Sequence, residues 1–303
     1  MSQTGTDRSL KDLEMKANVA ARAHMGKVAV PTIIMGFAIP TVYFSTIILT
    51  LMGFVSVIPA FFVLAFLTYA CYTIIHESVH GTISGKNEKL HWLSQALGYL
   101  NGQIILLSYQ VQRREHFSHH QNTNVPGADP DLPMVSNGLG KMIEMVMLAP
   151  LQKTNAYFKT YAEIADRKEK IIVVLELLIG IGWRIGFGYF FGWKVGLLLL
   201  LGSTYAGGFL LQLLFSWAVH RSFDQTERYK DTSIIIFPKP FDTLVTWIWL
   251  YQNYHAIHHL FPRVPFYKYR TIFREIEPTM KANGAPIFRV GEGVIKTALP
   301  SLT

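Results

Sequence analysis

Four stretches of this chain are apolar for long enough to cross a bilayer, and that restricts the fold before anything else does. They cover residues 28–52, 59–75, 171–191 and 195–219, each of roughly 17–25 residues. About 20 apolar residues in a helix span the ~30 Å of hydrocarbon. Only Glu176 and Arg184 interrupt them with charge. About seven residues (GFVSVIP) separate the first two stretches and three separate the last two, so the spacing pairs them. The expectation is an all-α integral membrane fold with four transmembrane helices in two hairpins.

Composition agrees. Half of the 303 residues are hydrophobic and 16% are charged, against roughly 25% charged in soluble domains. That excludes a disordered chain and an ordinary cytosolic enzyme. The one cysteine, Cys71, lies in an apolar run. It excludes a disulfide scaffold, a Cys-rich zinc module and an iron–sulfur cluster held by this chain alone. The first 27 residues are polar and lack the apolar core of a signal peptide. Their Leu10, Leu13, Met15, Val19 and Ala20 predict a surface helix lying on the membrane. Residues 1–27 are read as an N-terminal segment and 28–303 as a single membrane domain.

The 28 Lys and Arg are distributed unevenly: 26 lie in the N-terminal segment, between the two hairpins or after residue 219. The positive-inside rule makes that side cytoplasmic, with both termini on it, and the chain multi-pass. The cytoplasmic pieces are expected to form one helical cap. The topology accounts for the net charge of +8, so nucleic acid is not implied. A basic face would attract an acidic electron carrier or lipid headgroups. Residues 91–107 and 241–251 are apolar but short or interrupted, and are expected at the interface with Trp92, Trp247 and Trp249 near the headgroups. Glu176 and Arg184 lie about 80° and ~12 Å apart on a helix, too far for a direct pair, and are expected to snorkel.

All eleven histidines fall on the predicted cytoplasmic side or at its membrane boundary. Three clusters have ligand spacing. HESVH places His76 and His80 about 40° apart on one helix face. HFSHH carries His116, His119 and His120 within an arc of about 100°, and HAIHH repeats that geometry with His255, His258 and His259. His220 ends the fourth span. His24 and His91 stand apart and read as ordinary histidines. Nine imidazoles exceed one tetrahedral zinc site and suit two metal ions with four or five nitrogens each. Iron, zinc and copper all accept such ligands.

The order HxxxH, HxxHH, HxxHH on two membrane hairpins resembles the membrane fatty acid desaturase superfamily, which includes acyl desaturases and carotenoid ring hydroxylases and ketolases. The resemblance covers about residues 59–270. It implies two non-haem irons held by histidines alone, O2 as co-substrate, and two electrons from an external donor such as a ferredoxin. The oxidant attacks an unactivated C–H bond of a lipophilic substrate in the membrane. The implied ligands are His76, His80, His116, His119, His120, His220, His255, His258 and His259. Where some members have a water-holding Asn four residues before the last-span ligand, this chain has Ser216. Where many members have Asp after the first histidine, it has Glu77.

Glu77 completes HExxH, the zinc-protease signature, in which the Glu is the catalytic base. That reading makes Glu77 the candidate catalytic residue but leaves both HxxHH clusters and His220 unexplained. In the di-iron reading, Glu77, Glu115, Asp129 and Asp131 are the carboxylates available to orient imidazoles. Residues 122–131 (NTNVPGADPD) read as a turn-rich loop. Tyr72, Ile75, Ile104, Leu107, Phe215 and Trp217 are candidate walls of a substrate tunnel. The sequences following the second and third clusters resemble both branches. The short chain favours hydroxylation of a carotenoid ring, with fatty acyl desaturation as the alternative.

Overall fold

The computed structural model describes residues 3–136, 138–220 and 224–291. Among these the chain is helical almost throughout. The helices are α1 (Gln3–Arg22), α2 (Val30–Leu51), α3 (Val57–Val79), α4 (His91–Ile105), α5 (Tyr109–Asn122), α6 (Leu132–Ser136) and α7 (Leu139–Tyr161). After them come α8 (Arg167–Phe191), α9 (Ser203–Leu211), α10 (Phe241–Ile248), α11 (His255–Leu260) and α12 (Tyr269–Ala282). Two three-residue strands, β1 (Ile234–Ile236) and β2 (Ile287–Arg289), pair in parallel, with Ile234 opposite Ile287.

Four helical stretches are long and apolar enough to cross a membrane: Val30–Leu51, Val57–Val79, Arg167–Phe191 and Lys194–Trp217. Their outer faces expose Ile34, Phe62, Leu178 and Leu197, as a lipid-facing surface requires. Span α8 begins four residues earlier than expected because Asp166 caps it, its side chain accepting from Glu169 N (2.8 Å). The fourth span is not a uniform α-helix. It is π-helical over Lys194–Gly202 and again over Gln212–Trp217, on either side of α9. Hydrophobic periodicity carried no sign of this.

Helix α3 is the axis of the bundle and packs against α2, α4 and α9. The approach of α9 requires Gly207, where a Cβ would come within 2.5 Å of Ala65 O. Helix α4, expected on or partly in the interface, packs one face against α2, α3, α8 and α9, burying Leu97, Asn101 and Ile104, and leaves Trp92 and Leu100 exposed. Trp249 is buried, 7% exposed, and donates from Nε1 to Leu214 O (2.8 Å). Trp92 and Trp247 are exposed, and Trp247 shares an outward apolar face with Phe241 and Leu244 on α10. A second core lies outside the spans. In it Ala17 and Ala21 of α1 join Ile257, Phe266, Tyr269, Phe273 and Met280. One face of α1 is therefore packed on α12.

Glu176 and Arg184 do not snorkel. Both are buried, and they hold the junction between α4 and α5. Arg184 donates to the carbonyls of Gln103 (3.1 Å), Ile104 (2.5 Å) and Gly180 (2.7 Å), and to Thr204 Oγ1 (3.0 Å). Glu176 accepts from Tyr109 N and Ser108 Oγ, both at 2.7 Å. A helix leaves carbonyls unpaired at its C-terminus and amides unpaired at its N-terminus. The cation therefore meets the end of α4 and the anion the start of α5, each matching the helix dipole. The eight-residue spacing that rules out a direct pair is the spacing the two helix ends need.

Candidate metal centre

Helix α3 carries His76 and ends on His80, α5 carries His116, His119 and His120, α11 carries His255, His258 and His259, and His220 follows the fourth span. Two left-handed residues, Leu250 (φ 51°) and Tyr251 (φ 63°), turn the chain between α10 and α11. The nine imidazoles expected as ligands come together. The candidate ligand atoms of His76, His80, His116, His120 and His258 lie within 4.8 Å of one another, and so do those of His119, His220 and His259. His255 sits between the groups, its ring centroid 5.2 Å from that of His258 and 4.9 Å from that of His259. His91 is outside, with Nδ1 3.2 Å from Ser84 Oγ, and His24 is 4.0 Å from Glu275.

The outer nitrogens of four rings are already engaged. His119 Nδ1 bonds Asp129 Oδ1 (2.9 Å), and His259 Nδ1 bonds Asp231 Oδ2 (3.2 Å). His255 Nδ1 meets Gln252 Oε1 (3.0 Å), and His258 Nδ1 meets Tyr269 OH (3.1 Å). Such contacts fix ring orientation and leave Nε2 free as a ligand. The inner nitrogens crowd together. His116 Nε2 is 2.8 Å from His80 Nε2, and His120 Nε2 is 3.1 Å from His116 Nε2 and 2.8 Å from His258 Nε2. Both nitrogens of His76, Nδ1 of His116 and His220, and Nε2 of His259 are buried with no hydrogen-bond partner. Burial pushes His80 down to about 3 and lowers His116, His120, His220, His255 and His258. Those six rings are therefore neutral, with lone pairs facing one another, whereas at His119 burial is outweighed by Asp129 and its neighbouring carboxylates, which hold the imidazole above its ordinary value. A buried acceptor without a donor costs ~1–3 kcal/mol, and cations between the rings remove that cost. The site fits metal ions.

The carboxylates divide differently from expectation. Asp129 orients an imidazole, and loop 122–131 is what places it: Asn124 N donates to its Oδ2 and Asp131 N to its Oδ1. Asn124 Nδ2 also ties this loop to the carbonyls of Gln225 (2.7 Å) and Asp231 (2.8 Å). Glu115 and Asp131 bond Lys153 Nζ instead of a ring. Glu77 bonds no imidazole. Its oxygens accept from Thr32 Oγ1 and Phe266 N, each at 2.7 Å, so it links the first-cluster helix to α2 and to the segment after the third cluster. Asp231, Gln252 and Tyr269 were missed. Gln252 stands one helical turn before His255, a local signal, whereas Asp231 is 28 residues from His259 and gives none.

These positions can be set beside known proteins. The Fatty acid desaturase family profile matches residues 52–291, which hold all nine clustered histidines. This chain belongs to the fatty acid desaturase family. Membership carries membrane association with it, in keeping with the four long apolar helices. A sphingolipid delta(4)-desaturase of Oryza sativa subsp. japonica is 27% identical over 232 residues, 74% of this chain and 66% of that protein. A delta(5) fatty acid desaturase of Caenorhabditis elegans is 23% identical over 255 residues, 70% of this chain and 55% of that protein. A zeaxanthin 4-ketolase of Chlamydomonas reinhardtii is 32% identical over 83 residues, 27% of this chain and 18% of that protein. The chain thus spans less than two-thirds of each of these curated relatives.

A small pocket of about 60 Å³ lies one side chain away from the centre, with Tyr72 in its wall and the Tyr72 and His76 ring centroids 5.9 Å apart. Tyr72 and Leu107 line it as expected; Ile75, Ile104, Phe215 and Trp217 do not. Phe215 packs between Tyr72 and His76, with ring centroids 4.6 and 5.0 Å away. Helix α7 closes the far wall with Val146, Ala149, Pro150 and Lys153.

Proposed function

We propose that this desaturase-family chain is an O2-dependent di-iron oxidoreductase that attacks an unactivated C–H bond of a lipophilic membrane substrate. The observation that carries the reading is the pair of histidine groups, five and three rings, whose candidate ligand atoms converge beside a pocket. Two irons, when bound, supply the two-electron activation of O2 that C–H oxidation needs. His76, His80, His116, His120 and His258 would hold one ion, and His119, His220 and His259 the other, with His255 between. Asp129 and Asp231 hold His119 and His259 in register by accepting their Nδ1 protons. Tyr72 and Phe215 separate the inner rings from the pocket and exclude water. Glu77 is a structural tie here. A protease base would need a free carboxylate edge, and both oxygens are taken.

The proposed topology has two hairpins, both termini cytoplasmic and a single domain over residues 28–303. An external acidic carrier, a ferredoxin for example, would dock on the basic side. The substrate readings are hydroxylation of a carotenoid ring, in line with the ketolase relatives, and acyl desaturation, in line with the longer desaturase matches. Expression in a bacterium that makes β-carotene, with a compatible reductase, separates them. More polar pigment of unchanged colour supports ring hydroxylation, and new double bonds in acyl chains support desaturation. The di-iron reading expects about two irons per chain in the purified protein. A single tightly held metal in every preparation would refute it.

A further inference from the structure

The pocket beside the metal centre is too small to enclose a long lipophilic substrate. It holds about 60 Å³, against roughly 300–1,000 Å³ in sites that take a small molecule. A larger cavity lies in line with it along the fourth span. This groove, of about 390 Å³, runs between α8 and that span. Gly196, Leu197 and Leu201 line the groove, and Thr204, Gly208 and Leu211 carry the same span onward as a wall of the pocket. The groove is hollow because Gly188 and Gly196 meet there: a Cβ on Gly196 would lie 2.7 Å from Gly188 Cα. Its rim opens on the lipid-facing surface, with Ile185 66% and Leu197 58% exposed on spanning helices. A hydrocarbon chain is the occupant that buries no unpaired polar group there.

One side chain, that of Leu106, lines both cavities. The rest of the partition is Arg184, on the groove side, bonded to Thr204 Oγ1 (3.0 Å) on the pocket side. Arg184 is fixed by three further bonds to carbonyls, whereas packing alone holds the Leu106 side chain. Leu106 ends α4 in the left-handed conformation (φ 59°, ψ 45°), where glycine or asparagine is usual and a leucine is strained. Glycine would relieve that strain but leave the partition open. Gly180 gives the side chain its room: a Cβ there would lie 2.7 Å from Leu106 Cδ1. The backbone is pinned on both sides, since Leu107 N donates to Gly102 O (3.0 Å) and Arg184 donates to Ile104 O. Only the side chain is left to move.

We propose that Leu106 is the gate between these cavities and a specificity-determining residue of the enzyme. Its side chain turns aside to admit the hydrocarbon end of a membrane substrate from the groove into the pocket. The inference rests on the pocket being where the proposed oxidation takes place. It serves both substrate readings, because an acyl chain and the ring of β-carotene each present only C–H surface.

Thiol labelling of the metal-loaded protein in lipid vesicles tests this without turnover. Cys71, the single native thiol, is fully buried. Leu211→Cys therefore gives a reporter on the pocket wall and Leu197→Cys one in the groove. The probes are dodecyl methanethiosulfonate and a methanethiosulfonate carrying a trimethylcyclohexenyl ring, both dissolved in the bilayer. Leu106→Ala should speed labelling of the Leu211→Cys thiol by about 2- to 10-fold, the factor set by turning a leucine out of its rotamer well. Leu106→Phe should slow it. Neither change should alter the rate at Leu197→Cys or make Cys71 reactive. Leu106→Gly suits the left-handed backbone and serves if Leu106→Ala disturbs folding. Greater acceleration of the straight-chain probe assigns the gate to an acyl chain, and of the ring probe to a carotenoid ring. Pocket labelling indifferent to both Leu106→Ala and Leu106→Gly would overturn the inference. So would equal acceleration at Cys71, which would make Leu106 a packing residue of the bundle. Iron per chain in the same preparations keeps the two readings apart. Two irons with ungated labelling rejects only the gate; gated labelling with a single metal rejects only the di-iron reading.

Discussion

Replacing Glu176 by Ala should damage the metal centre from within the membrane span. The carboxylate accepts from Tyr109 N and Ser108 Oγ at 2.7 Å and is 7% exposed, so water cannot take its place. Orphaning two buried donors costs ~1–3 kcal/mol each, and losing an anion at a partly buried helix N-terminus costs up to ~2 kcal/mol more. Some of this is recovered by local shifts, so we expect about 3–5 kcal/mol in all. The loss falls on the first turn of α5, about 10 Å along the axis from His116. Glu176→Gln keeps an acceptor for Tyr109 N, and Ser108 can reverse its hydroxyl, so that change should cost only about 1 kcal/mol. The assay is thermal unfolding in detergent together with iron per chain. Glu176→Ala should melt clearly below Glu176→Gln and hold fewer than two irons. An Ala variant with native melting and native iron would refute the role given to this carboxylate.

Asp129→Asn and Asp231→Asn should each weaken metal affinity by about 10- to 100-fold with little change in helicity, measured by competition with a chelator. Glu77→Gln should retain iron and most activity, because the amide can still accept from Phe266 N and donate to Thr32; total loss of activity with full iron would favour a chemical role. Ala at any of the nine clustered histidines should abolish turnover, whereas His24→Ala should leave it unchanged and His91→Ala should alter it modestly at most; full activity in His220→Ala would remove that ring from the ligand set. Metal-free protein should lose stability as pH falls from about 6.5 toward 3, since burial depresses His80 and its neighbours, and the unfolded chain then binds more protons. Each such group contributes a slope of up to about 1.4 kcal/mol per pH unit within its window, and a melting temperature flat from pH 7.5 to 5 would contradict it.

The sequence by itself determined the membrane-spanning segments and the family. Span length against bilayer thickness is a one-dimensional quantity, so residues 28–52, 59–75, 171–191 and 195–219 could be placed to within a few residues. Histidine spacing at i, i+3 and i+4 is equally local and pointed to nine rings, eight of which converge in two groups with His255 between them. Tertiary structure decided whatever depended on an element distant in the chain. Glu176 and Arg184 looked like isolated intramembrane charges because the helix ends they cap lie about 70–80 residues away. Asp231 gave no signal because only folding brings it to His259, while Glu77 stood beside a ligand in sequence and bonded Thr32 and Phe266 instead. The π-helical stretches of the fourth span were invisible for a related reason. Uniform apolarity fixes that a segment is buried in lipid, but the number of residues per turn is set by what packs against it.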